Sequence, residues 1–202
     1  MRSASRLLPL IVCSLLAAGS DAARATEVID AAAPFSAVGT LRIQVVVNPF
    51  LRLRIGPASA AISLLQFTPA AATIGDGSPV IGSGGDAGGS TVNVVVQGNR
   101  NQISVTPANS SGGLGIGTGI VSDGRINYDQ IGTISSDATN LPAPVLTNAG
   151  GAATLPVMNA PGITNRSATW AYRYLNQTIA SAGTYGGINL NGSRVTYTAT
   201  MP

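Results

Sequence analysis

Apolar and polar residues alternate with period two along several stretches of this chain, first in Leu41-Arg42-Ile43-Gln44-Val45-Val46-Val47 and again in Leu51-Arg52-Leu53-Arg54-Ile55. That period places successive side chains on opposite faces of an extended backbone and predicts β-strands. Asn48-Pro49 separates the two runs. Further β-branched or aromatic runs span 61–67, 91–97, 102–106, 126–134, 168–174 and 194–201, nearly all bracketed by turn residues. In the last run, Val195, Tyr197, Ala199 and Met201 share one face and Arg194, Thr196, Thr198 and Thr200 the other, so one face is expected to point inward. No stretch beyond the first 25 residues carries a sustained helical stripe with capping signals. Many short strands with Gly-rich connections predict an all-β fold, a single immunoglobulin-like antiparallel β-sandwich with long Gly/Ser-rich loops. Three segments are expected to be such loops, 73–90, 107–119 and 138–151, because their small and polar residues offer little burial to offset ordering.

The first 25 residues read differently. Arg2 and Arg6, an apolar stretch from Leu7 to Ala18, and the small-x-small site Ala23-Arg24-Ala25 have the order of a cleaved secretory signal. The expected organisation is therefore a signal peptide over 1–25 and a β-sandwich domain over 26–202, exported to the periplasm, cell surface or extracellular space. The apolar stretch is too short for a membrane-spanning helix, which needs roughly 20 residues, and no later segment approaches that length, so no transmembrane segment is expected. Cys13, the only cysteine, follows Leu10-Ile11-Val12 rather than small residues, and is read as apolar filler of the signal rather than as a lipidation site.

Charge narrows the partners. Beyond residue 25, eight arginines stand against seven carboxylates, leaving one net positive charge, and the chain has no lysine. Nucleic-acid binding draws on clustered cationic side chains, and no such cluster exists here. A surface of Ser, Thr, Asn and Gly is weakly defended against self-association, so other copies or other surface subunits are the expected partners.

The residue inventory also bears on catalysis. Without histidine, and with the sole cysteine in the signal, Ser-His-Asp, Cys-His and ordinary zinc arrangements are unavailable. Paired carboxylates remain, but most aspartates lie in turn-like sequence, where the side chain bonds its own backbone. Asp123-Gly124-Arg125-Ile126-Asn127-Tyr128-Asp129 offers oxygen ligands yet lacks the spacing and closing Glu of a calcium loop, and is read as a turn entering a strand. The Gly-rich runs match no phosphate-binding fingerprint. No catalytic residue, metal or cofactor is expected. Trp170, Tyr172 and Tyr174 alternate and therefore share a face. They form either a carbohydrate-binding platform or, the preferred reading for a lone Trp in an aromatic-poor domain, part of the core.

Trp170-Ala171-Tyr172-Arg173-Tyr174, then Ala182-Gly183-Thr184-Tyr185-Gly186-Gly187, then Arg194 to Pro202 resemble the C-terminal strands of bacterial surface β-sandwiches, fimbrial subunits and WxL-type cell-wall domains. Leu41 to Ile55 looks like the start of alternate-chaperone (class 5) pilins. The resemblance implies a fimbrial or adhesive subunit, handled before assembly by a periplasmic chaperone, whose N-terminal strand completes the neighbouring subunit's sandwich. It also implies that Leu41, Ile43, Val45 and Val47 are the inserted side chains. Two other readings stay open: a monomeric secreted binding module, with glycans as one ligand class, and, ranked last, an envelope hydrolase acting through aspartates.

Overall fold

The computed structural model describes Ile29, Ser36, residues 38–59 and residues 61–202. The signal-peptide expectation for 1–25 lies outside the described residues. The chain divides into two units, one ending at Val47 and the other running from Asn48 to Pro202.

The second unit is all-β. Its strands are β1 (Leu51–Ile55), β2 (Leu65–Gln66), β3 (Val80–Ile81), β4 (Ser83–Gly84), β5 (Thr91–Gly98), β6 (Ser104–Asn109), β7 (Ile116–Gly117), β8 (Arg125–Ile126), β9 (Ile131–Ser135), β10 (Leu146–Thr147), β11 (Gly150–Gly151), β12 (Thr164–Tyr174) and β13 (Val195–Thr200). Helix among the described residues is limited to single 3-10 turns at Ala71–Thr73, Val121–Asp123 and Tyr128–Gln130.

Two antiparallel layers enclose the core. In the larger, β5 lies between β1 and β12, and β9 and β3 also pair with β12. In the smaller, β13 pairs with β6 from Val195↔Asn109 to Thr200↔Ser104. The strand pattern explains the burial. In β5, Val92, Val94 and Val96 point into the core, while Thr91, Asn93, Val95 and Gln97 lie on the opposite face. Each fully buried valine contributes about 1.5–3 kcal/mol of transfer free energy. Ile103 and Val105 meet them from the other layer, with Trp170 and Tyr172 of β12 filling the centre.

The expected loop over 73–90 contains more order than its composition predicts. Ile81 partners Arg173 and Thr91 partners Ala171, so β3 and β5 occupy the same edge of β12. Residues 82–89 make an excursion out of that interrupted strand, and Ser90 returns the chain to register by accepting a hydrogen bond from Tyr172 N at 3.0 Å. Ser90 has φ 56°, a left-handed conformation unfavourable to most side chains. Its buried hydroxyl holds the turn, accepting from Gly82 N at 3.1 Å and lying 2.7 Å from Tyr172 O and 2.6 Å from Gly89 O.

The segment 138–151 departs most from the expectation of an open loop. Leu141, Pro144 and Leu146 are buried in it, as is Pro156 beyond it. Scattered apolar residues without periodicity still bury well when each meets a separate pocket of an existing sheet.

Candidate functional site

Trp170 is 0% exposed, and its indole Nε1 donates to Leu141 O at 3.3 Å. Its ring lies 5.6 Å from that of Tyr197, tilted by 55°, a favourable aromatic geometry. Tyr172 and Tyr174 are also buried. This alternating row faces the interior, so it presents no platform to a ligand. Tyr172 and Tyr197 join their hydroxyls at 2.8 Å, and Tyr128 donates to Gly192 O at 2.6 Å. Burial pushes the Tyr128 phenol up to about 12, and that of Tyr172 likewise to about 12, against the smaller lowering effect of its bond to Tyr197. Tyr197 is raised well above its ordinary range by burial and by the neighbouring phenols.

Four of the described aspartates serve turns. Asp76 accepts Ser78 N, Asp86 accepts both Asn93 N and its side-chain amide, Asp123 accepts the Thr118 hydroxyl, and Asp137 accepts Asn140 N and Nδ2. Among the described residues no three His, Cys, Asp or Glu side chains gather as a metal site. The depressions among the described residues include two shallow ones. One, of about 60 Å³, sits among Gly119, Ile120, Val121 and Asn191. The other, of about 260 Å³, lies on the outer face of the large sheet beside Arg54, Asn93 and Thr169.

The two flanks of the sandwich differ. On one, the segment 141–157 closes the gap between the layers. The Thr133 hydroxyl donates to Pro144 O at 2.8 Å, that of Ser135 to Leu141 O at 2.6 Å, and Val105 and Thr154 exchange backbone hydrogen bonds at 2.9 Å. On the other flank, β1 runs beside β13. Each is the last strand of its layer: β1 pairs with β5 alone and β13 with β6 alone. The inward residues there, Leu53 and Ile55 of β1 and Val195, Tyr197, Ala199 and Met201, pack against the core but are only partly buried. Unpaired strand edges expose backbone donors and acceptors to any extended partner.

Residues 41–47 form no strand, contrary to the sequence expectation, because no ladder partner pairs with them. Leu41, Ile43, Val45 and Val47 are 75–80% exposed, an arrangement that wastes four apolar side chains on water. The boundary of this arm is pinned. Asn99 accepts Phe50 N through Oδ1 at 2.8 Å and donates through Nδ2 to Asn48 O at 2.9 Å, fixing the backbone on either side of Pro49. Sequence reading did not single out Asn99, and it took 138–151 as a loop rather than as a cover. An Asn in a polar turn carries no local signal of a partner 50 residues away.

The arm and the β1–β13 flank are thus two features, among the described residues, that the core leaves unused. No protein family, no curated protein and no solved structure matches this chain.

Proposed function

We propose that the chain is an immunoglobulin-like β-sandwich subunit of an exported surface assembly, fimbria-like in kind, and that residues 41–47 of one copy lie along the free edge of β13 in another. The observation that carries this reading is the presence in one chain of an exposed apolar arm and an unpaired strand edge. The arm exposes alternate apolar residues, Leu41, Ile43, Val45 and Val47. The flank has an unpaired edge and an incompletely covered apolar face in Val195, Tyr197, Ala199 and Met201. An added strand supplies backbone hydrogen bonds, and its alternate side chains fill successive sites along the groove. The alternative of a glycan-binding module has lost the Trp170, Tyr172 and Tyr174 platform on which it was built, since those side chains are buried.

Solution mass tests the proposal. The chain from Thr26 onward is expected to form ladders or fibres in light scattering. A chain starting at Pro49 is expected to stay monomeric and to bind a peptide of residues 37–48. A stable monomer of the longer chain, with unfolding of the shorter, would mean that the arm completes its own sandwich, and exchange between copies would be wrong.

A further inference from the structure

On the outer face of the large sheet, cross-strand neighbours lie in rows. Arg52 of β1 faces Gln97 of β5, and Gln97 faces Asn165 of β12. This row bonds itself, with Arg52 Nη1 donating to Gln97 Oε1 at 3.3 Å and Gln97 Nε2 to Asn165 Oδ1 at 2.9 Å. The next row on the same face is Arg54, Val95 and Ser167. Valine offers no acceptor, so the second arginine gains no bond from the side chain beside it. The Arg54 Nε is buried with no hydrogen-bond partner among the described residues. Buried donors in folded proteins are almost always bonded, so an unbonded one at the wall of a depression marks a place where a ligand can supply the acceptor.

That depression is the larger one, of about 260 Å³, which Arg54 lines with Asn93, Val95, Ser136, Ser167 and Thr169. One wall is held by backbone: Ser136 N donates to Thr169 O at 2.9 Å, and Thr169 N to Ser136 Oγ at 2.9 Å. Because Ser136 Oγ accepts there, its own hydrogen is left to donate. No bond within the described residues uses the hydroxyls of Ser167 and Thr169. Asp86 is close enough to interact electrostatically with Arg54, but its oxygens bond Asn93, Oδ1 taking Asn93 N at 2.8 Å and Oδ2 taking Nδ2 at 2.9 Å. The volume lies just under the range of about 300–1,000 Å³ typical of drug-sized ligands, which suits a single ring.

We infer that this depression binds a carboxylate carried on a single ring, gripped by Arg54, with the hydroxyls of Ser136, Ser167 and Thr169 bonding the remaining ligand oxygens. The guanidinium fork matches the two oxygens of a carboxylate, and its bonds to them are charge-assisted. Two sources share this chemistry, an acidic sugar and a non-sugar ring acid. The site uses neither the arm nor the free edge of β13, so it stands or falls apart from strand exchange.

Calorimetric titration of the full chain with glucuronate, cyclohexanecarboxylate and glucose tests the site. Both acids are expected to bind, and glucose about ten-fold more weakly or worse. Tighter binding of glucuronate than of cyclohexanecarboxylate would support the site with an acidic sugar as its ligand, and the reverse order would support it with a non-sugar acid. Arg54→Gln is expected to weaken both acids about ten-fold or more, while Arg52→Gln, in the row that bonds itself, leaves them unchanged. Equal weakening by the two substitutions would mean a general attraction to positive charge and overturn the inference. Glucose binding as tightly as glucuronate, or no binding of either acid, would do the same. If Arg54→Gln does not fold, nuclear magnetic resonance on the unaltered chain decides. The Arg54 Nε–H signal, identified by its loss in Arg54→Lys, is expected to shift with glucuronate and not with glucose, and a signal that stays in place with both would also overturn the site.

Discussion

The Tyr172 and Tyr197 hydroxyls meet at 2.8 Å, joining the central strand of the large layer to the edge strand of the small one. Tyr172 partners Thr133 in β9, and Tyr197 partners Pro107 in β6, so this one contact ties four strands together. Tyr197 also packs on Trp170. The edge that we propose receives a second copy is thus held in place by its own core-facing aromatics.

Replacing one phenol strands the other. Tyr172→Phe is expected to cost about 1–3 kcal/mol in urea unfolding, because the Tyr197 hydroxyl keeps its desolvation penalty without a partner. The double Phe variant is expected to cost less than the two single losses combined, and additive losses would mean that the pair is not coupled.

The same phenols set an alkaline limit. The fold favours their neutral form, since Tyr128 and Tyr172 are raised to about 12 and Tyr197 beyond its ordinary range. The unfolded chain releases these protons near pH 10, so stability from this source is intact below that value and falls as pH rises through 12. Absorbance titration is expected to show late-ionising phenols whose ionisation coincides with loss of the β-sheet circular dichroism signal. Ionisation of every tyrosine near 10 with the fold intact would contradict their burial.

Trp170→Ala is expected to destabilise the domain by about 3–5 kcal/mol, the usual cost of emptying a large aromatic site. Trp170 is the only tryptophan, so its emission reports directly on the core. Blue-shifted emission that acrylamide quenches poorly is expected, and exposed-type emission would reopen the platform reading.

Asn176, buried with φ 54°, tests a clamp invisible to periodicity. Its Oδ1 accepts Gly75 N at 2.9 Å, and its Nδ2 donates to Thr73 O at 2.6 Å. Asn176→Gly keeps the backbone conformation and removes these bonds together with a longer one from Nδ2 to Asp76 Oδ1 at 3.4 Å, with an expected loss of about 1–3 kcal/mol. Asn176→Ala is expected to lose more in thermal or urea unfolding, since it adds strain at positive φ.

Leu141→Ala is expected to cost about 2–5 kcal/mol and to loosen the closed flank first, read as faster hydrogen exchange at Ser135 and Trp170. Uniform exchange rates across both flanks would show that 141–157 does not act as a cover.

Alternation along 91–97, 168–174 and 194–201 was enough to place strands there and to group Val195, Tyr197, Ala199 and Met201 on one face. It works because side-chain direction in an extended chain is a local property with period two. The same pattern in 41–47 produced no strand, since a strand also needs a backbone partner, and pairing is not encoded in the segment itself. Ser90 and Asn176 escaped notice for a related reason. Their roles depend on left-handed backbone and on carbonyls remote in the chain.

All-β character, the grouping of Val195, Tyr197, Ala199 and Met201 on one face and the poverty of charge follow from residue order alone, because they rest on periodicity and composition. Which flank is closed, by the irregular segment around Leu141 and Leu146, and which is left with unpaired edges at β1 and β13, was decided by tertiary structure. Those features arise from contacts between residues far apart in the chain, where burial depends on what the rest of the fold leaves uncovered.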